Sequence, residues 1–294
     1  MIRRLRAPLP ARLAVLAAFA VLFLGTSPAP FAAQPPQRPG ASVRLIVAGV
    51  VDGRAEAGIE IDLEPGWKTY WRTPGDAGIP PVVDWSRSTG LSAFDLRFPA
   101  PVRFGDEGVQ SIGYTGPVIL PIDLALADAT RPAALELDIQ IGLCRDICVP
   151  VSARLTGTVS PTAPVDAAAL ARLTAARATL PLPAVKGVAP WVISLERDRE
   201  ADVAAGALLV KVKMPEDDAD EAARDVLVEG PTIDWALPLP EKIAAAPGRE
   251  IWRFDLDGVP RGAKLEGSVL RFTMRIRDRV VEQRVPLDAA VVAP

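Results

Sequence analysis

The chain of 294 residues holds 33 Lys and Arg against 36 Asp and Glu, 49% hydrophobic residues, two cysteines and no histidine. The length suits two domains, and the lack of histidine excludes Ser-His-Asp and Cys-His nucleophiles, histidine zinc sites and an imidazole base. Arg3, Arg4, Arg6 and Arg12 stand together at the N-terminus, so the remainder is more acidic than the net charge of −3 suggests and offers no basic surface for a nucleic-acid backbone.

Those arginines precede an apolar run over 13–24 and then the small, Pro-rich GTSPAPFAAQ, the pattern of a secretory signal. The run is shorter than the about 20 residues needed to span a bilayer. Residues 1–33 are therefore expected to be a signal peptide, cleaved within 29–34, and the mature protein to be exported. No later segment is long and apolar enough to cross a membrane.

Alternation with period two follows. GIEIDLE presents Ile59, Ile61 and Leu63 to one face, FDLRF presents Phe94, Leu96 and Phe98, and LELDIQI presents Leu135, Leu137, Ile139 and Ile141, each between Gly, Pro or Asp. Further strands are expected at 43–51, 67–72, 118–126 and 151–159. Short strands punctuated by turn residues, with no 3.6-residue period among them, predict an antiparallel sandwich over 40–160. SPTAPVD then marks a loop, DAAALARLTAARATL a helix capped by Asp166, and LPLPAVKGVAP a second proline cluster, so 161–190 reads as a connector with one short helix. From residue 191 strands resume in WVISLE, ALLVKVKM, DVLVEG, TIDWALP, EIWRFDL, SVLRFTMRIR and RVVEQRVPL, making 191–294 a second β-sandwich. The acidic run EDDADE at 216–221 reads as a solvated loop or helix start, with a cation site as the alternative.

Cys144 and Cys148 lie in IGLCRDICVP. Four residues of regular strand would separate their Cβ atoms by roughly 13 Å, whereas a disulfide needs about 3.8 Å. The two can bond only if the chain turns between them, with Arg145, Asp146 and Ile147 as the tip of a tight hairpin and the cysteines facing each other at the strand ends. Three uses remain open at this point. As a staple, closing so small a loop stabilises by only about 2 kcal/mol before strain is subtracted, although exported proteins keep disulfides by default. Two thiolates also suit Cu(I), but Met1, Met214 and Met274 do not cluster near them in sequence. The third use is redox exchange, because a short disulfide at a hairpin tip is easily reduced and exposed, labile disulfides tend to be the catalytic ones.

The flanking residues carry a resemblance. PGWKTYWRTPGDAGIPPVVDWS (65–86), RFPAPVRFGDEGVQSIGYTGPVILPI (97–122) and IGLCRDICVPVSARL (141–155) resemble, in order, blocks of the periplasmic N-terminal domain of the DsbD family of thiol:disulfide interchange proteins. The likeness is closer to the N-terminal region of ScsB-type relatives, which place a second β domain after it. It implies an all-β fold of two immunoglobulin-like antiparallel β-sandwich domains joined by a short helical connector. It also implies periplasmic protein-disulfide reductase activity without a prosthetic group, the Cys144/Cys148 pair cycling between dithiol and disulfide. Reducing equivalents would pass from a membrane-embedded electron transporter to periplasmic thioredoxin-fold proteins. The membrane helices of full-length members do not follow here, so that transporter is expected to be separately encoded.

Carried over by position, Cys148 would form mixed disulfides with partners and Cys144 would resolve them. Tyr70 matches a tyrosine lining the family's site. The family's cap loop, which lays an aromatic ring over the disulfide, corresponds to Phe104, Gly105, Asp106 and Glu107. Strict alignment puts the acidic Glu107 where the aromatic is expected, and Phe104 takes that role if the loop is shifted. The alternatives to exchange are a two-sandwich binding or assembly module with a structural disulfide, and a Cu(I) carrier.

Overall fold

A computed structural model describes residues 40–106, 108–203, 205–216 and 223–288. The expected signal peptide, Glu107 and all of the acidic run after Glu216 lie outside the described residues.

The first sandwich is built from β1 (Ala41–Val51), β2 (Arg54–Leu63), β3 (Lys68–Gly75), β4 (Val82–Asp84), β5 (Leu91–Leu96), β6 (Val102–Asp106), β7 (Val109–Tyr114), β8 (Val118–Leu126), β9 (Ala133–Cys144) and β10 (Cys148–Val159). One sheet has the order β1-β2-β8-β5, and the other β10-β9-β3-β7-β6 with β4 beside β9. All pairings are antiparallel. The alternation read in β2 and β9 points Ile59, Ile61, Leu135, Leu137, Ile139 and Ile141 into the space between the sheets, where they pack with Trp71, Ile112, Leu120 and Ile122. Burying these apolar side chains is the main force holding the two sheets face to face.

Asp166 caps the helix α1 (Ala167–Ala178), its carboxylate accepting from the backbone N–H groups of Ala168 and Ala169 at 3.0 Å each. Ala169 and Leu173 of α1 pack on Ile46 and Ala48 of β1, so α1 covers the outer face of the first sheet. Arg172 of α1 and Arg44 of β1 both pair with the buried Glu60 of β2. Arg177 reaches Asp123 at 2.6 Å and Glu56 at 3.1 Å. Charges buried under a helix are tolerated when paired in this way.

The connector also holds a two-residue strand, β11 (Leu182–Pro183), which pairs in parallel with the last strand of the chain. The second sandwich comprises β12 (Trp191–Asp198), β13 (Ala207–Lys213), β14 (Arg224–Glu229), β15 (Glu241–Ala246), β16 (Arg249–Asp255), β17 (Val269–Ile276) and β18 (Arg279–Pro286). Its sheets run β11-β18-β17-β14 and β12-β13-β16-β15, closing on Val210, Val226, Trp252, Phe254, Phe272 and Met274.

Two strand expectations change. TIDWALP is not a strand: Pro231, Pro238 and Pro240 deny it ladder donors, and its apolar residues Trp235 and Leu237 plug the second core from a loop. The strand of this region is instead β15, exposed along its whole length. FDLRF ends as a strand at Leu96, and Phe98 reaches the core from the proline-bearing loop that follows.

Candidate functional site

The cysteines close the β9–β10 hairpin. Cys144 pairs directly with Cys148 in the register of the ladder, and the two form a disulfide with Cα atoms 4.1 Å apart. Arg145, Asp146 and Ile147 make the tip, held by the Arg145 N–H donating to the Ile147 carbonyl at 3.3 Å. Cys144 is half-buried and Cys148 exposed. Ile147 beside it is 70% exposed.

Next to β9 runs β3, with Lys68 opposite Cys144 and Thr69 opposite Leu143. The Thr69 hydroxyl, buried, donates to the Gly142 carbonyl at 2.8 Å and so pins β3 to the hairpin. The following residue is Tyr70, 2% exposed, whose hydroxyl lies 3.0 Å from the Cys148 sulfur. A disulfide sulfur carries no proton, so the phenol is the donor. The ring occupies space that glycine leaves open. A Cβ on Gly142 would stand 2.7 Å from the Tyr70 ring and 2.8 Å from Ile79 Cβ. Gly78, at φ +141°, abuts the same ring.

Phe104 of β6 is half-buried with its ring centroid 6.1 Å from that of Tyr70, the planes tilted by 38°, and Lys68 Nζ lies 5.1 Å from its centroid. Of the expected cap loop, Phe104, Gly105 and Asp106 lie on β6, paired with Ser111, Gln110 and Val109 of β7. Phe104 joins the cysteine site through Tyr70, and Asp106 ends β6 opposite Val109. Arg145 and Asp146 pair with each other at 3.0 Å, and the Arg145 guanidinium lies over Trp67 at 5.3 Å. The two tip charges thus offset each other next to the sulfurs. Among the described residues no group of three or more Cys, Asp and Glu is arranged to hold a metal ion. Trp71 is wholly buried in the core, and Trp85 stacks on Phe94 at 5.6 Å.

Lys68, Thr69 and Gly142 belong to the site but were not singled out from the sequence. Gly142, a glycine inside an alternating strand at the position where Glu136, Asp138 and Gln140 set a polar residue, carried the usable signal, since such a residue marks a close approach by another group.

Burial pushes the Tyr70 phenol above its ordinary value of 10.0, so the group stays a donor across the neutral range. Burial raises Tyr114 further, against an opposing effect of the Arg72 charge. These are the chain's two tyrosines. Folding favours their neutral forms, so their stabilising contribution is complete below 10.0 and is lost as pH rises through the raised values. A phenolate absorbance titration is expected to show no component at the ordinary value of 10.0, and alkali to destabilise the fold from there upward.

Residues 39–160 match the family model described as thiol:disulfide interchange protein DsbD, N-terminal. The chain is also similar in fold to the N-terminal periplasmic domain of ScsB from Proteus mirabilis, with a TM-score of 0.67 at 20% sequence identity, over 87% of this chain and 96% of that one. A comparison with curated proteins finds no match. The ten strands that lead into and out of the cysteine hairpin coincide with the matched span, and this part of the chain is a DsbD-family N-terminal domain.

Proposed function

We propose that the protein exchanges thiols and disulfides in the periplasm through Cys144 and Cys148, passing reducing equivalents from a membrane-embedded electron transporter to thioredoxin-fold proteins. One observation carries this reading. The Cys148 sulfur is at an exposed hairpin tip and also within 3.0 Å of a buried phenol. A structural crosslink gains nothing from a proton donor aimed at one sulfur, whereas a reacting sulfur does. Thiol exchange proceeds by thiolate attack, and a hydrogen bond to the charged form favours that form.

Starting from the dithiol, the Cys148 thiolate attacks one sulfur of a partner disulfide, and the other partner sulfur leaves as a thiolate and takes up a proton. The Cys144 thiolate then attacks the Cys148 sulfur, expelling the second partner thiolate. The partner gains two electrons and two protons, and the Cys144–Cys148 bond re-forms. The membrane transporter, acting as a dithiol, would run the same two displacements in reverse to restore the reduced pair. Tyr70 donates to Cys148 whenever it is a thiolate, as attacker in the first displacement and as the final leaving group when the transporter reduces the pair. The β6–β7 hairpin, with Phe104 against Tyr70, would limit which thiols approach.

The test is to mix the reduced protein with the disulfide form of a periplasmic thioredoxin-fold protein and follow free thiols by mass tagging. Stoichiometric oxidation of Cys144 and Cys148 with reduction of the partner is expected, and no transfer would reject the reading. Tyr70→Phe keeps the ring and removes the donor. It is expected to slow exchange by about tenfold, the scale of one hydrogen bond to a charged group, and to move the pH midpoint of Cys148 alkylation upward.

A further inference from the structure

On its far side from the cysteines, β3 leaves its own sheet. Tyr70 pairs with Gly113 of β7, but the next pairing is Gly75 with Ser111, so residues 71–74 bulge out against a single residue of β7. The bulge is held from the second sandwich. Arg72 donates two hydrogen bonds of 2.7 Å to Glu229 at the end of β14 and one of 2.9 Å to Glu282 of β18. Thr73 donates to Glu229 at 3.2 Å. Glu229 is 7% exposed, so this is a desolvated, forked pair of the kind that fixes geometry.

A second tie of the same sort stands one residue from the other aromatic of the site. Arg103, adjacent to Phe104 on β6, donates to Asp225 of β14 at 2.7 and 3.3 Å. Leu227, from the same strand β14, is buried in the first sandwich's core. The two strands that carry Tyr70 and Phe104 are therefore both anchored to β14, a strand outside the matched domain.

We infer that the second sandwich is a positioning element of the cysteine site: through Glu229 on Arg72 and Asp225 on Arg103, β14 holds Tyr70 and Phe104 in place against Cys148. The inference rests on the exchange reading for its meaning, but the geometry it asserts can be tested without it. Arg72 and Arg103 touch neither sulfur, and they act only through the residues beside them.

The probe is iodoacetamide, applied at neutral pH to the reduced protein in a Cys144→Ser background, so that Cys148 alone reports. Glu229→Ala is expected to slow alkylation of Cys148 by about tenfold, as far as Tyr70→Phe does, and to add nothing when Tyr70→Phe is already present. Glu229→Gln, which keeps the side chain's shape, is expected to act in the same direction and more weakly, and serves if Glu229→Ala does not fold. A rate in the Glu229 variants within about twofold of the parent would overturn the inference, and so would equal slowing in both Tyr70 backgrounds, the mark of a general loosening. The exchange reading fails separately, if the parent does not exchange with a thioredoxin-fold disulfide. The alkylation result then still decides whether β14 positions Tyr70.

Discussion

Cys148→Ser is expected to abolish mixed-disulfide formation with thioredoxin-fold partners, whereas Cys144→Ser is expected to accumulate it. The asymmetry follows from exposure and proton donation together. Cys148 is the exposed sulfur and the one that Tyr70 reaches, so under the proposed exchange it would be the sulfur that an incoming disulfide meets and the one best held as a thiolate. Cys144 is half-buried, on the strand paired with β3, where it can attack Cys148 across the hairpin but is poorly placed to meet a partner. Removing Cys144 leaves the first displacement intact and blocks the second, so the adduct persists. Non-reducing electrophoresis with a partner disulfide reads both outcomes. Adducts formed through Cys144 in the Cys148→Ser variant would reverse the roles. Neither substitution should unfold the protein, because closing so short a loop contributes only about 2 kcal/mol.

Gly113→Ala is expected to cost about 3 kcal/mol of stability, the upper range for forcing an atom into a filled interior. Gly113 sits in β7 between β3 and β6, opposite Tyr70 on one side and Val102 on the other. A Cβ there would collide with the Thr69 carbonyl oxygen and lie 2.8 Å from Tyr70 Cα. These are backbone atoms, so no change of side-chain rotamer relieves the clash, and β3 must move. The same displacement carries the Tyr70 hydroxyl away from Cys148, so Cys148 alkylation should slow in whatever fraction remains folded. Gly116→Ala is the control. Beyond its own chain neighbours nothing lies within 4 Å of its added Cβ, and its stability by urea unfolding should match the parent to within about 0.5 kcal/mol.

The parts of this fold that were legible in the sequence are those in which one chain segment determines its own environment. The alternation of Leu135, Leu137, Ile139 and Ile141 specifies a strand with one buried face, and their burial in the core follows. The cysteine hairpin was legible because two sulfurs four residues apart can meet only across a turn, and the ladder pairs Cys144 with Cys148. Asp166 announced α1 because a carboxylate at that position satisfies helix N–H groups locally. By contrast β15 carries no buried face, so periodicity had nothing to register. TIDWALP alternates because Trp235 and Leu237 plug a core from a loop, an arrangement that imitates a strand.

The candidate site divides in the same way. The sulfurs could be named from spacing, and Tyr70 and Phe104 from the family resemblance. Their mutual arrangement could not, because the Tyr70–Cys148 contact joins residues 78 apart and the Arg72–Glu229 pair residues 157 apart. Such contacts depend on how sheets and sandwiches pack, a property of the whole chain. Glu229 in particular, at the end of an apolar strand, offers no local hint that it faces an arginine of the other sandwich.

The exchange reading is tested most directly by the reduction potential of the Cys144–Cys148 pair, measured by equilibrating the protein against glutathione mixtures and counting free thiols. A pair that hands electrons to other proteins is expected to equilibrate above about −300 mV, in the range of exchanging dithiols. A bond that stays oxidised below about −300 mV would be a structural crosslink and would contradict the proposed function.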